Sequence, residues 1–198
     1  ASSGVTAEKT GAALHRYNGV AEMTARLGAL LPSRTDGSIG RIVIDAPDEE
    51  TFTDDREAVR RAPEPDSDQL LARFDQLIYE CRVAVPEGAD ALVRDDASAL
   101  GLIAAGSQAR ADSALANQIG ETRSLVRLAL AEGAYAASAF GAGFGGSAWA
   151  IVEEGQAEAF LAGWESRYRA GFPGRTAARF FPTRPAPGTV RLALETDA

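Results

Sequence analysis

The sequence is poor in the residues that build most catalytic centres and covalent frameworks. Cys81 is its one cysteine and His15 its one histidine among 198 residues. A lone cysteine excludes an internal disulfide framework. The pair also excludes a zinc site of clustered Cys and His, and any triad that needs a second histidine. Cys81 falls on the apolar face of a predicted helix and reads as a buried, inert thiol. Lys9 is the only lysine, and every other basic residue is arginine, which we read as compositional bias. Positive charge is scarce as well: the net charge is −8 and the pI about 4.8. Nucleic acid and anionic membrane surfaces both need a basic face, so neither is an expected partner. No apolar run reaches membrane-spanning length and no signal peptide is visible, so a soluble, cytoplasmic protein is expected.

What is present is enough apolar residue, 45% of the chain, for a sizeable core in one domain. Residues 8–31 carry Leu14, Tyr17, Val20, Ala21, Leu27 and Leu31 at helical spacing, and Pro32 ends the run. Residues 33–67 read as an irregular acidic insertion, with Pro47, Pro63 and Pro65 among Asp45, Asp48, Glu49, Glu50, Asp54 and Asp55. These carboxylates match no calcium loop and are expected to form a solvated face. Within them Ile42-Val43-Ile44 suggests a strand or a docking segment. Helical spacing returns over 68–85 through Leu70, Phe74, Leu77, Ile78, Cys81 and Val85, with Asp68 as N-cap and Pro86 as stop. Residues 98–115 and 120–132 predict two more helices, the second closed by Gly133. The period then changes. Ala134–Phe140 and Ser147–Val152 predict strands, 156–170 a helix, and Ala177–Pro182 and Thr189–Leu194 two further strands. The order, helices first and then strand–loop–strand–helix–strand–strand, predicts an α+β fold. A ferredoxin-like arrangement is expected: a small, mostly antiparallel sheet covered by several helices.

The densest local signal is Phe140-Gly141-Ala142-Gly143-Phe144-Gly145-Gly146-Ser147. Glycine costs folding entropy, so this density requires a left-handed backbone or a close approach to the main chain. Such a loop can present N–H groups to an anion such as phosphate. Gly141, Gly143 and Gly146 spell the dinucleotide fingerprint, but a strand follows where that motif needs a helix. A protein-kinase glycine loop joins two strands, yet needs a lysine downstream, and none follows. A tight turn without any ligand remains open on these residues alone.

Phe140–Val152 resembles the third motif of the GHMP kinases, the superfamily that includes galactokinase, homoserine kinase and mevalonate kinase. Four other segments resemble galactokinase in the same order. Tyr17-Asn18 resembles its "YN-R" element, and Arg73-Phe74-Asp75-Gln76-Leu77-Ile78-Tyr79-Glu80 its helix running from Arg to Glu. Leu100-Gly101-Leu102-Ile103 with Ser107-Gln108 resembles its "FG-L-M--S" helix. Phe180–Thr189 resembles its aromatic ending.

That resemblance implies the carboxy-terminal domain of such a kinase over residues 8–198, with residues 1–7 the end of the amino-terminal domain. The chain begins at Ala1 without Met and reads as the middle of a polypeptide. The family's phosphate loop, Pro-x-x-Gly-Leu-x-Ser-Ser-Ala, and its catalytic aspartate are absent. ATP and Mg2+ are therefore expected mainly on the amino-terminal domain, which becomes the implied partner beside the sugar. The implied activity is phosphoryl transfer to a sugar hydroxyl, with this chain inactive alone. By resemblance Tyr17 contacts the sugar, and Gly141, Gly143, Gly145 and Gly146 line the cleft; no catalytic or metal-binding residue is assigned. Ala142 stands where galactokinases carry glycine, which leaves the sugar open. The competing expectation is a non-catalytic module that binds a sugar, a nucleotide or a protein.

Overall fold

The computed structural model describes residues 1–6, 14–31, 39–62, 67–141 and 143–185, without the side chains of 14–17 and 49. Two apolar clusters organise these residues. The first is helical. Helix α1 (Leu14–Leu30) buries Met23 and Leu27 against α4 (Ser67–Tyr79), which contributes Leu70, Phe74 and Ile78. Asp68 lies in the first turn of α4, where a carboxylate favours the helix dipole. Arg73 ties the two helices, donating to Thr24 Oγ1 at 3.1 Å and to Gln76 Oε1. Burial pulls its guanidinium below the usual range.

The expected irregular stretch at 33–67 is corrected over its described residues. Ile39–Ile44 form helix α2 and Glu49–Arg60 form helix α3. Ile42-Val43-Ile44 is therefore helical, neither strand nor free docking segment. Asp48 caps α3 by accepting from the Thr51 N–H at 2.9 Å. Phe52 and Val59, seven apart, fall on one helical face and are fully buried, as is Val43. Asp55 is buried too, so the acidic run is not a uniformly solvated face. Arg82 fixes α2 and α3 to the layer below. Its Nη1 donates to the Ile44 and Ala46 carbonyls, and its guanidinium lies 5.7 Å from the Phe52 ring centre.

Pro86 does not stop the helix before it. After Tyr79 the chain takes one wide π-helical turn, Glu80–Ala84, and resumes as α5 (Val85–Val93). Pro86 then sits in the first turn of α5, where its missing N–H is tolerated. Cys81, in the wide turn, is partly rather than fully buried; burial and the neighbouring Glu80 carboxylate push its thiol up.

Helix α6 (Ala97–Ser113) joins the two clusters. A side chain at Gly101 would strike the Tyr135 carbonyl, and one at Gly106 the Tyr79 hydroxyl. Ser107 donates to Glu80 at 2.7 Å. Gln108 Oε1 accepts from the Ala139 N–H at 2.8 Å and the Ser138 hydroxyl at 3.1 Å. The residues that carried the galactokinase resemblance on α4 and α6 thus hold elements together.

The second cluster surrounds a two-stranded antiparallel sheet of β1 (Ala136–Phe140) and β2 (Ser147–Ile151), with Ala136 opposite Ile151 and Phe140 opposite Ser147. Helices α7 (Gly120–Ala131) and α8 (Ala157–Gly171) pack on it through Leu125, Ala129, Phe160, Trp164 and Tyr168. Gly133, at φ +101°, carries the chain out of α7. Ser2 bridges Ser147 on one side and Arg179 on the other, prolonging the antiparallel pairing. Of the expected strand Ala177–Pro182 only Arg179 makes a bridge, and Thr189–Leu194 lies outside the described residues. The architecture is α+β, helix-rich around a small antiparallel sheet.

Tyr168 donates from the centre of this cluster to the Ser3 carbonyl at 2.7 Å. Burial, reinforced by Glu121, pushes its phenol up from 10 to about 12. The native state therefore holds this proton where an unfolded chain has lost it, and the contribution is complete below pH 10. It disappears as the pH rises through 12. Thermal melts across this window should fall more steeply for the parent than for Tyr168→Phe, and parallel melting curves would refute the assignment.

Candidate functional site

The glycine loop makes the β1–β2 connection and turns on left-handed backbone. Gly141, Gly143, Gly145 and Gly146 have φ of +87°, +84°, +138° and +84°. Phe144 lies between them at +58°, a conformation unfavourable for a residue with a Cβ. Two contacts hold the loop from behind. The Phe144 N–H donates to the Asn117 carbonyl at 2.6 Å, and a Cβ on Gly143 would lie 2.5 Å from the Asn117 Cβ. The Gly146 N–H donates to the Val5 carbonyl at 2.9 Å, while its own carbonyl accepts from the Ser3 N–H at 2.8 Å. The Phe144 and Gly146 donors are thus directed at protein carbonyls, whereas a phosphate cradle directs such donors outward.

In front of Phe144 is a cleft of about 410 Å³. Gly19, Val20, Glu22, Met23 and Arg26 of α1 form one wall, and Gln69 of α4 and the Leu115-Ala116 turn after α6 complete it. Ala116 is also left-handed, at φ +47°. Both strained non-glycine residues near the loop therefore border the same cleft, an arrangement that recurs where geometry serves function. Behind it Asn117 and Gln118 are buried, the Gln118 Nε2 donating to Asn117 Oδ1 at 2.8 Å.

Of the glycines singled out from the sequence, Gly143 and Gly145 are buried and Gly141 is exposed at the turn. Tyr17 lies on α1 two residues before the cleft residue Gly19. The structure describes no side-chain position for Tyr17 or His15, and Lys9 lies outside the described residues. Arg184 is exposed and ion-paired with Glu154. Sequence reasoning missed Ala116, Asn117 and Phe144. The only available hint was the adjacent amides Asn117-Gln118 between two predicted helices. Among the described residues, no three His, Cys, Asp or Glu side chains gather as a metal would require. No helix among these residues is long and apolar enough to cross a membrane.

Residues 89–170 match the family model described as GHMP kinases C terminal. That span contains α6, α7, both strands and the glycine loop. Among solved structures, the galactokinase of Lactococcus lactis, crystallised with galactose, shares the fold with a TM-score of 0.68. The identity is 21%, over 87% of this chain and 41% of that one. The chain thus spans well under half the length of that galactokinase. No curated protein matches it. The family match over residues 89–170 and the shared fold agree with the resemblance read from the sequence, and the fold of the chain is galactokinase-like.

Proposed function

We propose that this chain is the carboxy-terminal portion of an ATP-dependent, galactokinase-like sugar kinase. The observation that carries the reading is a coincidence of position. The family match over 89–170 brackets the glycine loop, and that loop borders a cleft of about 410 Å³ among the described residues. In this reading the terminal phosphoryl group of ATP moves to a sugar hydroxyl in the cytoplasm. Catalysis of this kind depends on positioning and electrostatic stabilisation. The Tyr17 hydroxyl contacts the sugar, and Gly141, Gly143, Gly145 and Gly146 shape the cleft wall. ATP and Mg2+ are held mainly by an amino-terminal kinase domain, which supplies the phosphate loop, the metal donors and the catalytic carboxylate.

The 198-residue chain alone is expected to give no turnover of galactose with ATP. Joined to the polypeptide encoded directly upstream of Ala1, it is expected to phosphorylate a sugar. Turnover by the chain alone would contradict its inactivity. An upstream frame without the Gly-Leu-x-Ser-Ser-Ala loop would favour a non-catalytic binding module instead.

A further inference from the structure

We propose that the gap beyond Ala1, between β2 and the segment around Arg179, is a strand-binding site. It takes an extended polypeptide segment joined to the Ala1 nitrogen, with an apolar side chain directly before Ala1, and filling it braces the glycine loop. The register decides the fit. Ala1 and Ala148 exchange hydrogen bonds of 2.8 and 2.9 Å, and on the other side Ser2 and Arg179 exchange bonds of 2.7 and 3.2 Å. Both flanking segments run on past Ala1, β2 to Ile151 and the other through Phe181. Antiparallel neighbours bond at every second residue. The next bonding groups are therefore the N–H and C=O of Ala150 on one side and of Phe181 on the other, directed into the gap. Ala139, opposite Ala148, fixes the phase, because its N–H turns away from β2 to Gln108. Side chains alternate in the same way. Ala1, Ala148, Ala150, Ala178 and Phe180 pack into the cluster with α7 and α8, so Ser2, Trp149 and Phe181 belong to the opposite face. A residue directly before Ala1 lies opposite both Trp149 and Phe181. Phe181 is 59% exposed, and a side chain there would cover it. The Ala1 ammonium is an independent sign. It sits partly buried in the ladder, and burial pulls its pKa down. An amide at the same nitrogen would make the bond to Ala148 without desolvating a charge. The strand that borders the gap also holds the glycine loop: Ser3 donates to the Gly146 carbonyl, and the Val5 carbonyl accepts from the Gly146 N–H.

The test extends the full 198-residue chain by Val-Thr-Val before Ala1 and, in a second version, by Val-Pro-Pro. The two prolines remove the N–H groups that would donate to the Phe181 and Ala150 carbonyls, while both extensions remove the Ala1 charge. Val-Thr-Val should raise the melting temperature by at least about 3 °C. It should also slow exchange of the Ala150, Phe181 and Gly146 amides about tenfold. Val-Pro-Pro should match the unextended chain in both. Equal melting temperatures for the two extensions, or unchanged exchange at Ala150 and Phe181, would overturn the strand site. Slowing at those two residues without slowing at Gly146 would overturn the brace. Protection of Ala150 and Phe181 that grows with concentration of the unextended chain would assign the gap to a second copy instead. No kinase activity enters these readouts, so a braced chain without sugar turnover would sink only the kinase reading.

Discussion

Phe52→Ala is expected to lower folding stability by about 3–5 kcal/mol, the usual cost of emptying a buried aromatic site. Phe52 is fully buried, meets Phe74 edge-on with centroids 6.4 Å apart, and carries Arg82 over its ring. Removing it takes away the only aromatic side chain of α3 and the surface on which Arg82 rests while it caps α2. The exposed neighbour Asp54 provides the control, since Asp54→Asn should change stability by less than about 0.5 kcal/mol. Urea titrations followed by circular dichroism would measure both. Trp149 and Trp164 lie in the sheet and α8, so their fluorescence reports on the other cluster. Because α6 packs on both clusters, the two signals should shift together in Phe52→Ala. Equal midpoints for the parent and Phe52→Ala would mean that residues 49–60 are not part of the core.

That expectation runs against the composition of the segment, and the reason is instructive. Over 33–67 prolines and carboxylates dominate the letters, so the residues read as a solvated loop. The apolar positions are few, but Ile39, Ile42, Val43, Phe52 and Val59 all reach the core. A short amphipathic helix needs only two or three inward residues, and its outward face is free to be acidic. Average polarity hides such an element, and only the spacing of Phe52 and Val59 points to it. Pro86 misled for a related reason. Proline forbids a normal helical hydrogen bond at its own nitrogen, which is compatible with a stop or with a wide turn. Here the Val85 N–H reaches back to the Glu80 carbonyl, five residues away, and the helix continues. By contrast β1, β2 and α8 were legible because short alternating or 3.6-period apolar patterns met glycine punctuation at each end.

The candidate site divides along the same line. The glycine spacing and the strand–loop–strand context were visible in the letters, because backbone needs select glycine directly. The partner that fixes the loop was not, since Asn117 lies at a junction between helices and acts mainly through its backbone carbonyl, which any residue possesses. Nor was Phe144 distinguishable from an ordinary hydrophobic residue, as a left-handed φ on a side-chain-bearing residue leaves no sequence signature. The role of α1 as a cleft wall emerges only when Val20, Met23 and Arg26 are set beside a turn some ninety residues later.

Gly143→Ala should destabilise the protein by about 2–5 kcal/mol, whereas Gly141→Ala should cost only about 1–2. The two glycines have nearly the same left-handed φ, +84° and +87°, so the conformational penalty for a Cβ, about 1–2 kcal/mol, is common to both. Their surroundings differ. A Cβ at Gly141 meets nothing within 4 Å, while at Gly143 it would overlap the Asn117 carbonyl and lie 2.6 Å from the Asn117 Cγ. Those atoms are backbone or the root of a buried side chain, so relief requires the 115–118 turn to move, and overpacking of this kind adds about 1–3 kcal/mol. The displacement should also lengthen the Phe144–Asn117 hydrogen bond. Amide exchange of the Phe144 N–H should then accelerate in Gly143→Ala and stay slow in Gly141→Ala. Equal costs for the two substitutions would show that the loop is held by its own turn geometry and not by its contact with Asn117. The difference between them measures that contact directly, because every intrinsic term of the glycine-to-alanine change is shared.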